Sequence, residues 1–288
     1  MKLGIVGYGS IGERHANNAQ VLGHEVKVFD PQKRRDYKFE RMIYEECDAI
    51  VVATPSPYHE GPLRAAIERG KHVLIEKPIS TSIGSLPLLL DFAKEKKLVV
   101  MMGNNLRFHP CVQQAKEWIA EDKIGTPIWA HFTCATKSVK PIYLSDGVIL
   151  NTGSHEVDLA LHLFGPAKVV MANARHVEVN NDDIADFLLE HASGVRSSFH
   201  LDFVTPNEIR DAWIVGKYDK IGIELRNRNV SLGSRASARP GKYDGDYFDE
   251  MDAFFKRIAG ETTPGATGDD GLATLRVLLD VRKMAGLV

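Results

Sequence analysis

Three short stretches carry residue types whose spacing could do chemistry. The first is Gly7-Tyr8-Gly9-Ser10-Ile11-Gly12, which closes the apolar run of residues 2–7 and opens a helical pattern. Glycine at 7 permits a tight turn, at 9 it lets a backbone approach a pyrophosphate, and at 12 it lets a helix pack closely on a strand. The N–H groups and dipole at the start of that helix, around Ser10 and Ile11, attract anions. A second apolar strand, 25–29, ends at Asp30, where a carboxylate accepts from the 2′-hydroxyl of an adenosine ribose. Together these predict a bound dinucleotide, and Asp30 favours NAD. NADP stays open, because Lys33-Arg34-Arg35 could meet a 2′-phosphate; a solvated loop balanced by Asp36 and Glu40 accounts for the same run. A glycine-rich turn without a ligand is the structural alternative.

The second and third stretches supply acid–base groups. In open parallel sheets, ligands lie beyond the carboxyl ends of the strands. The strand at 48–54 ends in Ala53-Thr54-Pro55, with His59 soon after. The strand at 71–75 ends in Glu76-Lys77-Pro78, and the strand at 98–102 runs into Gly103-Asn104-Asn105-Leu106-Arg107-Phe108-His109-Pro110. Lys77 beside a nicotinamide could stabilise charge on a substrate oxygen in a water-poor site. The proline after it restricts Lys77 to extended backbone and is a candidate for a cis bond. An exposed, salt-bridged lysine explains the tripeptide equally well. Further on, Asn151-Thr152-Gly153-Ser154-His155-Glu156-Val157-Asp158 opens an amphipathic helix. His155 falls in its first turn and could take the proton of an alcohol, with Asp158 three residues on to orient it. A capping turn with a hydrogen-bonded histidine is the alternative. The adjacency of serine and histidine and the lack of a nucleophile elbow argue against a Ser154/His155/Asp158 hydrolase.

The elements that position these residues fall into two halves. Up to about residue 120, strands alternate with helical segments at 59–69 and 85–97, and the near-continuous Val/Ile runs predict a parallel sheet covered on both faces. Beyond it, alternating segments at 127–136, 168–177, 184–190, 195–204, 209–216 and 220–226 follow one another, with helical pattern at 152–164, 246–259 and 270–285. This predicts an α/β chain: a doubly wound Rossmann domain, 1–120, and an α+β domain, 121–288, with an open, mostly antiparallel sheet. The Gly/Ser/basic segment 233–245 reads as a mobile loop. The chain has 288 residues and a net charge of −2, which points to neither nucleic acid nor membrane as partner. No apolar run is long enough to span a bilayer, and a strand beginning at residue 2 leaves no room for a signal peptide. The three cysteines are scattered, as expected of buried hydrophobes in a reducing cytoplasm. The 11 histidines show no H-x-x-x-H spacing or cysteine pairing, so no metal is expected.

The glycine fingerprint, Ala53-Thr54-Pro55 with His59, Glu76-Lys77-Pro78, Asn105-Leu106-Arg107-Phe108, Gly153 to Asp158, and a closing segment with Pro264 and Gly268-Asp269-Asp270-Gly271 resemble, in this order, the Gfo/Idh/MocA oxidoreductase family. The resemblance spans the whole chain. It implies NAD(P)-dependent oxidation or reduction of a hydroxyl or carbonyl on a sugar, cyclitol or sugar derivative. It also implies a homodimer or homotetramer formed through the free sheet face. Lys77 matches the family's catalytic lysine and His155 its catalytic histidine. Many members place an aspartate where this chain has Asn151, which cannot carry charge, so His155 would be a weaker base unless Asp158 or Glu156 compensates. Gly7, Gly9, Ser10, Ile11, Gly12, Asp30, Thr54, Pro55, His59, Glu76 and Lys77 are expected to contact the cofactor, and Asn105, Arg107 and Asp158 the substrate. Some relatives oxidise and re-reduce one substrate, as glycosidases or epimerase-like enzymes. A nucleotide-binding protein without dehydrogenase activity is the remaining alternative. The connection 137–150 looks short, which implies an open pocket.

Overall fold

The computed structural model describes residues 1–137, 146–178, 180–234, 236–238 and 245–287. It divides into two units, one made of Met1–Phe108 with Asp244–Leu272, the other of His109–Tyr243 with Ala273–Val288.

The first unit is built on strands β1 (Lys2–Val6), β2 (Glu25–Phe29), β3 (Ala49–Val52), β4 (His72–Glu76) and β5 (Val100–Gly103), all parallel, with the two-residue β14 (Ala266–Thr267) antiparallel on the β5 edge. The order β14-β5-β4-β3-β1-β2 places β2 and β3 on opposite sides of β1, so strand order reverses there. Helix α1 (Ser10–Val21) follows the glycine turn. It shares one face of the sheet with α8 (Asp246–Ile258): Ala16, Ala19, Met251 and Phe254 pack on Leu3, Ile5, Val28, Val51 and Leu74. On the opposite face, α2 (Arg41–Glu46) presses Ile43 against Gly4, where a Cβ would come within 2.7 Å of it. Helices α3 (Glu60–Glu68) and α4 (Leu86–Glu95) extend that layer.

The second unit has an eight-stranded sheet of β6 (Pro127–Ala135), β7 (Ala167–Arg175), β8 (Ile184–His191), β9 (Arg196–Asp202), β10 (Ile209–Gly216), β11 (Lys220–Glu224), β12 (Asn229–Leu232) and β13 (Ala236–Ala238). Its order is β13-β12-β11-β10-β6-β9-β8-β7, with β6 and β9 parallel and the other neighbours antiparallel. The inner face buries Phe132, Phe187 and Phe199 as a stacked row, with ring centroids 5.1 and 4.4 Å apart. Helices α5 (Pro110–Ala120), α6 (Gly147–Asn151) and α7 (Gly153–Phe164) pack on this sheet. Helix α9 (Gly268–Met284) joins them, and a Cβ at Gly153 would meet Leu278. The outer face carries Trp129, His131, Leu188, Ser198, His200 and Trp213, exposed or half-buried.

Three expectations change. The division falls at Phe108 rather than near 120, because α5 packs on β11 and β12 of the second unit. Residues 244–272 return to the first unit, because the apolar face of α8 fits α1 and the first sheet. Within the supposed loop 233–245, Ala236–Ala238 pairs with β12; residues 235 and 239–244 lie outside the described residues, as do 138–145 of the short connection.

Candidate active site

The glycine turn stands where strand order reverses. Gly7 has φ +92°, and a Cβ there would lie 2.6 Å from the Ala53 carbonyl oxygen, so side chains are excluded by backbone angle and by space. A Cβ at Gly12 would collide with the Gly7 carbonyl oxygen, which seats α1 against the turn. Nothing lies within 4 Å of the corresponding point at Gly9, which leaves that side open for a phosphate at the helix N-terminus beside Ser10 and Ile11. Asp30 closes the turn from β2: its carboxylate accepts the backbone N–H groups of Tyr8, Gln32 and Lys33.

At the neighbouring strand ends, the Lys77–Pro78 bond is cis. The half-buried Lys77 follows β4 directly, and Asn104 follows β5. Glu76 pairs with Gly103 in the sheet register, so Lys77 and Asn104 are the next residues on adjacent strands. Asn104 is buried, and neither polar atom of its carboxamide has a partner among the described residues; Thr54 Oγ1, after β3, is in the same condition. Buried polar atoms without partners cost about 1–3 kcal/mol each, and an arriving ligand relieves that cost. The positive-φ turn, the open space at Gly9 and these unsatisfied atoms fit a dinucleotide lying along the strand ends.

Several expected contacts are corrected by the geometry. His59 is buried, with Nδ1 2.7 Å from the Pro78 carbonyl and Nε2 2.8 Å from that of Thr54. It therefore braces the Thr54 and Pro78 turns against each other. Glu76 turns its carboxylate to His15, at 2.8 Å, rather than outward. Arg107 is buried and pairs with Asp270 at 3.4 Å. Burial pushes the Asp270 carboxyl up, but Arg107 and the Thr267 donors outweigh it and hold its pKa below the usual range. Arg107 is therefore engaged with Asp270 in this structure. Asn105 is buried in the 3-10 turn that carries Arg107.

In the second unit, Asn151 ends α6 and His155 lies in the first turn of α7, one helical turn before the buried Asp158. Ser154 donates its hydroxyl to the Leu150 carbonyl oxygen, locking the α6–α7 junction. Glu156 is buried and takes Arg210 Nε at 2.8 Å, so it is committed to an ion pair and does not compensate for Asn151. Cys47, Cys111 and Cys134 are free and buried, and burial pushes the Cys47 thiol up to about 11, which leaves it unreactive. Asn104 and His15 are functional candidates that sequence reasoning passed over. The doubled asparagine at a strand end and a histidine three residues after Gly12 were their only local signals.

The fold and the glycine-turn site define a protein with a Rossmann unit and a second, open-sheet unit. The family model described as "Oxidoreductase family, NAD-binding Rossmann fold" matches residues 1–104, and the Gfo/Idh/MocA C-terminal domain model matches 112–221. The chain belongs to the Gfo/Idh/MocA family of oxidoreductases. It is similar to scyllo-inositol 2-dehydrogenase (NAD(+)) of Bacillus subtilis, 26% identical, over 96% of this chain and 92% of that one. Its fold matches the UDP-N-acetylglucosamine 3-dehydrogenase of Acidithiobacillus ferrooxidans with a TM-score of 0.89 at 23% identity, over 100% of this chain and 98% of the other. An oxidoreductase from Agrobacterium radiobacter, solved with NAD+, L-tartaric acid and magnesium, matches with a TM-score of 0.87 at 17% identity, over 99% and 96%. Among the described residues no helix is long and apolar enough to cross a membrane.

Proposed function

We propose that this chain is a cytoplasmic, NAD-dependent dehydrogenase that oxidises a ring hydroxyl of a sugar, cyclitol or sugar derivative. The observation that carries this reading is Lys77 at the end of β4, beside the unsatisfied Asn104 and in the same sheet as the glycine turn. NAD, when bound, accepts the hydride. Gly7, Gly9 and Gly12 shape the turn for its pyrophosphate, Ser10 and Ile11 present helix N–H groups, and Asp30 faces the ribose. Thr54 and Pro55 line the strand end beside them. The Lys77 ammonium donates to the substrate oxygen and stabilises its growing negative charge. His155, as neutral imidazole, takes the hydroxyl proton. Asn151, one helical turn earlier, orients the substrate hydroxyl or the ring, and Asp158 lies on the same helix face as His155. Asn105 contributes its amide to the substrate side. The names of the relatives, an inositol dehydrogenase and a nucleotide-sugar dehydrogenase, support a cyclic secondary alcohol as the substrate class.

The outer sheet face supports a homodimer or homotetramer. It displays Trp129, Trp213 and Met171 at 39%, 42% and 57% exposure. Apolar patches of this kind are stable when paired.

The test is a panel of cyclitols, aldoses and nucleotide sugars, read by the absorbance of NADH. Wild type should reduce NAD with at least one of them. Lys77→Ala and His155→Ala should each lower kcat by roughly a hundredfold or more while the Kd for NADH stays within about threefold. Substrate consumption without net NADH would point to transient redox instead. Near-normal kcat in Lys77→Ala would remove Lys77 from the chemistry.

A further inference from the structure

One buried hydrogen bond joins the helix of the glycine turn to the strand end that carries Lys77. His15, in α1, is wholly buried, and its Nε2–H donates to Glu76 Oε1 at 2.8 Å. The other oxygen of the same carboxylate, Oε2, accepts the backbone N–H of Lys77 at 3.3 Å. Glu250, from α8, completes the group: one ligand-type atom from each of the three side chains lies within 4.8 Å of the others. Glycine at 103 makes the space, since a Cβ there would come within 3.0 Å of Glu76 Oε1.

Such a trio can bind a cation or act as a brace. An ion held by both His15 and Glu76 would sit about 2.0–2.2 Å from each and keep their atoms about 3.4 Å apart in tetrahedral geometry. The separation of 2.8 Å is that of a direct hydrogen bond between the two side chains. A hydrogen bond of this kind inside a core fixes both partners, because each would otherwise be left buried and unsatisfied. Glu76 is thus held from the α1 side, and it holds in turn the peptide from which Lys77 projects.

We infer that His15 is a positioning residue for Lys77, acting through Glu76 and making the pyrophosphate-binding helix and the lysine-bearing strand end one rigid piece. The inference rests on the reading of Lys77 as the group at the reacting oxygen. A displaced lysine weakens an interaction made in the transition state, so the loss belongs in kcat and not in nucleotide affinity.

The experiment is a double-mutant cycle of His15→Leu and Lys77→Ala, with His15→Gln as the conservative variant. His15→Leu should lower kcat roughly ten- to hundredfold while the Kd for NADH stays within about threefold. His15→Gln keeps an N–H donor within reach of Oε1 and should recover most of the rate. In the Lys77→Ala background His15→Leu should add less than about twofold. Equal losses in both backgrounds overturn the inference. A second readout needs no turnover: the rate of reductive methylation of Lys77 in the apo protein, followed by peptide mass, should rise severalfold in His15→Leu and return in His15→Gln. An unchanged rate overturns the inference. If wild type oxidises no substrate of the panel, the dehydrogenase reading fails, and the methylation rates still decide this one. Gly103→Ala, which crowds Glu76 without touching His15, should raise the methylation rate in the same direction, and it replaces His15→Leu if that variant does not fold. Stoichiometric zinc binding that is lost in His15→Gln would make the trio a cation site and overturn the brace.

Discussion

Asp30 accepts the backbone N–H of Tyr8 at 2.7 Å, so the end of β2 is tied to the middle of the glycine turn. Its other oxygen accepts from Gln32 and Lys33 at 2.8 and 3.0 Å. Burial pushes this carboxyl up, but the three backbone donors outweigh burial and its pKa is lowered. Such a carboxylate is ionised at neutral pH and would repel a 2′-phosphate brought beside it. Of the basic run, Arg34 is paired with Asp36 at 3.1 Å and Arg35 donates to the Pro31 carbonyl. NADH should bind at least roughly tenfold more tightly than NADPH. Titration of both, followed by fluorescence, measures the ratio. Asp30→Ala should narrow it and weaken NADH binding through the loosened turn. Tighter NADPH binding by wild type would contradict the assignment.

The Asn104 carboxamide gives a prediction with two opposite signs. Asn104→Leu removes buried polar atoms that have no partner among the described residues. The apo protein should gain roughly 1–3 kcal/mol in urea unfolding. Binding of NADH or of substrate should weaken in the same variant, because the amide that meets the ligand is gone. A less stable protein with unaltered ligand affinities would show that Asn104 has a purely internal role.

His200 bridges two carboxylates, with Nδ1 2.8 Å from Asp186 and Nε2 3.0 Å from Asp202. Burial disfavours its charged form, but the two aspartates outweigh burial and raise its pKa above 6.5. The folded state then holds the proton more tightly than the unfolded chain. The stabilisation is complete below the unfolded value of 6.5 and disappears as pH rises through the folded one. Urea midpoints of wild type and His200→Gln should differ at about pH 5.5 and converge at about pH 8.5. A gap that widened with pH would reverse the assignment.

Trp213 sits opposite His131 on β6 and over Gly222 on β11, where a Cβ would come within 2.9 Å of the indole ring. The ring is thereby laid flat on the outer face, beside the stacked Trp129 and His131. Light scattering should report at least twice the mass of one chain for wild type. Trp213→Glu should shift the particle to a single chain by placing charge in the centre of the paired face. A wild-type particle of one chain would refute the pairing.

The glycine turn, the strand ends and the alternating strands were legible because each is a local pattern. Gly7 takes a positive φ, Gly9 leaves open space and Gly12 meets the Gly7 carbonyl, all within one six-residue motif, and β2 and β10 match their expected ranges. Helix α2 was not legible: six residues in a charged stretch give too little periodicity. Neither was β14, whose two residues form a strand only because β5 offers an edge. The strand-end positions of His59, Glu76 and Arg107 are legible, but their protein partners are not. Their partners, Pro78, His15 and Asp270, are set by tertiary packing, and sequence spacing does not encode a contact between residues 107 and 270.

The return of Asp246–Ile258 to the first sheet governs how this chain can be made. Met251 and Phe254 are wholly buried against Leu3 and Ile5, so the earliest strand waits for a helix near the carboxyl end. On the ribosome, residues 1–108 emerge first yet cannot close their core until Ile258 has cleared the exit tunnel, with nearly the whole open-sheet unit synthesised in between. The second unit waits as well, because it takes Ala273–Val288 from the end of the chain. A nonsense codon ahead of Asp246 removes that helix, uncovers the apolar surface of Leu3, Ile5 and Val28, and should leave the nucleotide-binding half prone to aggregation or proteolysis.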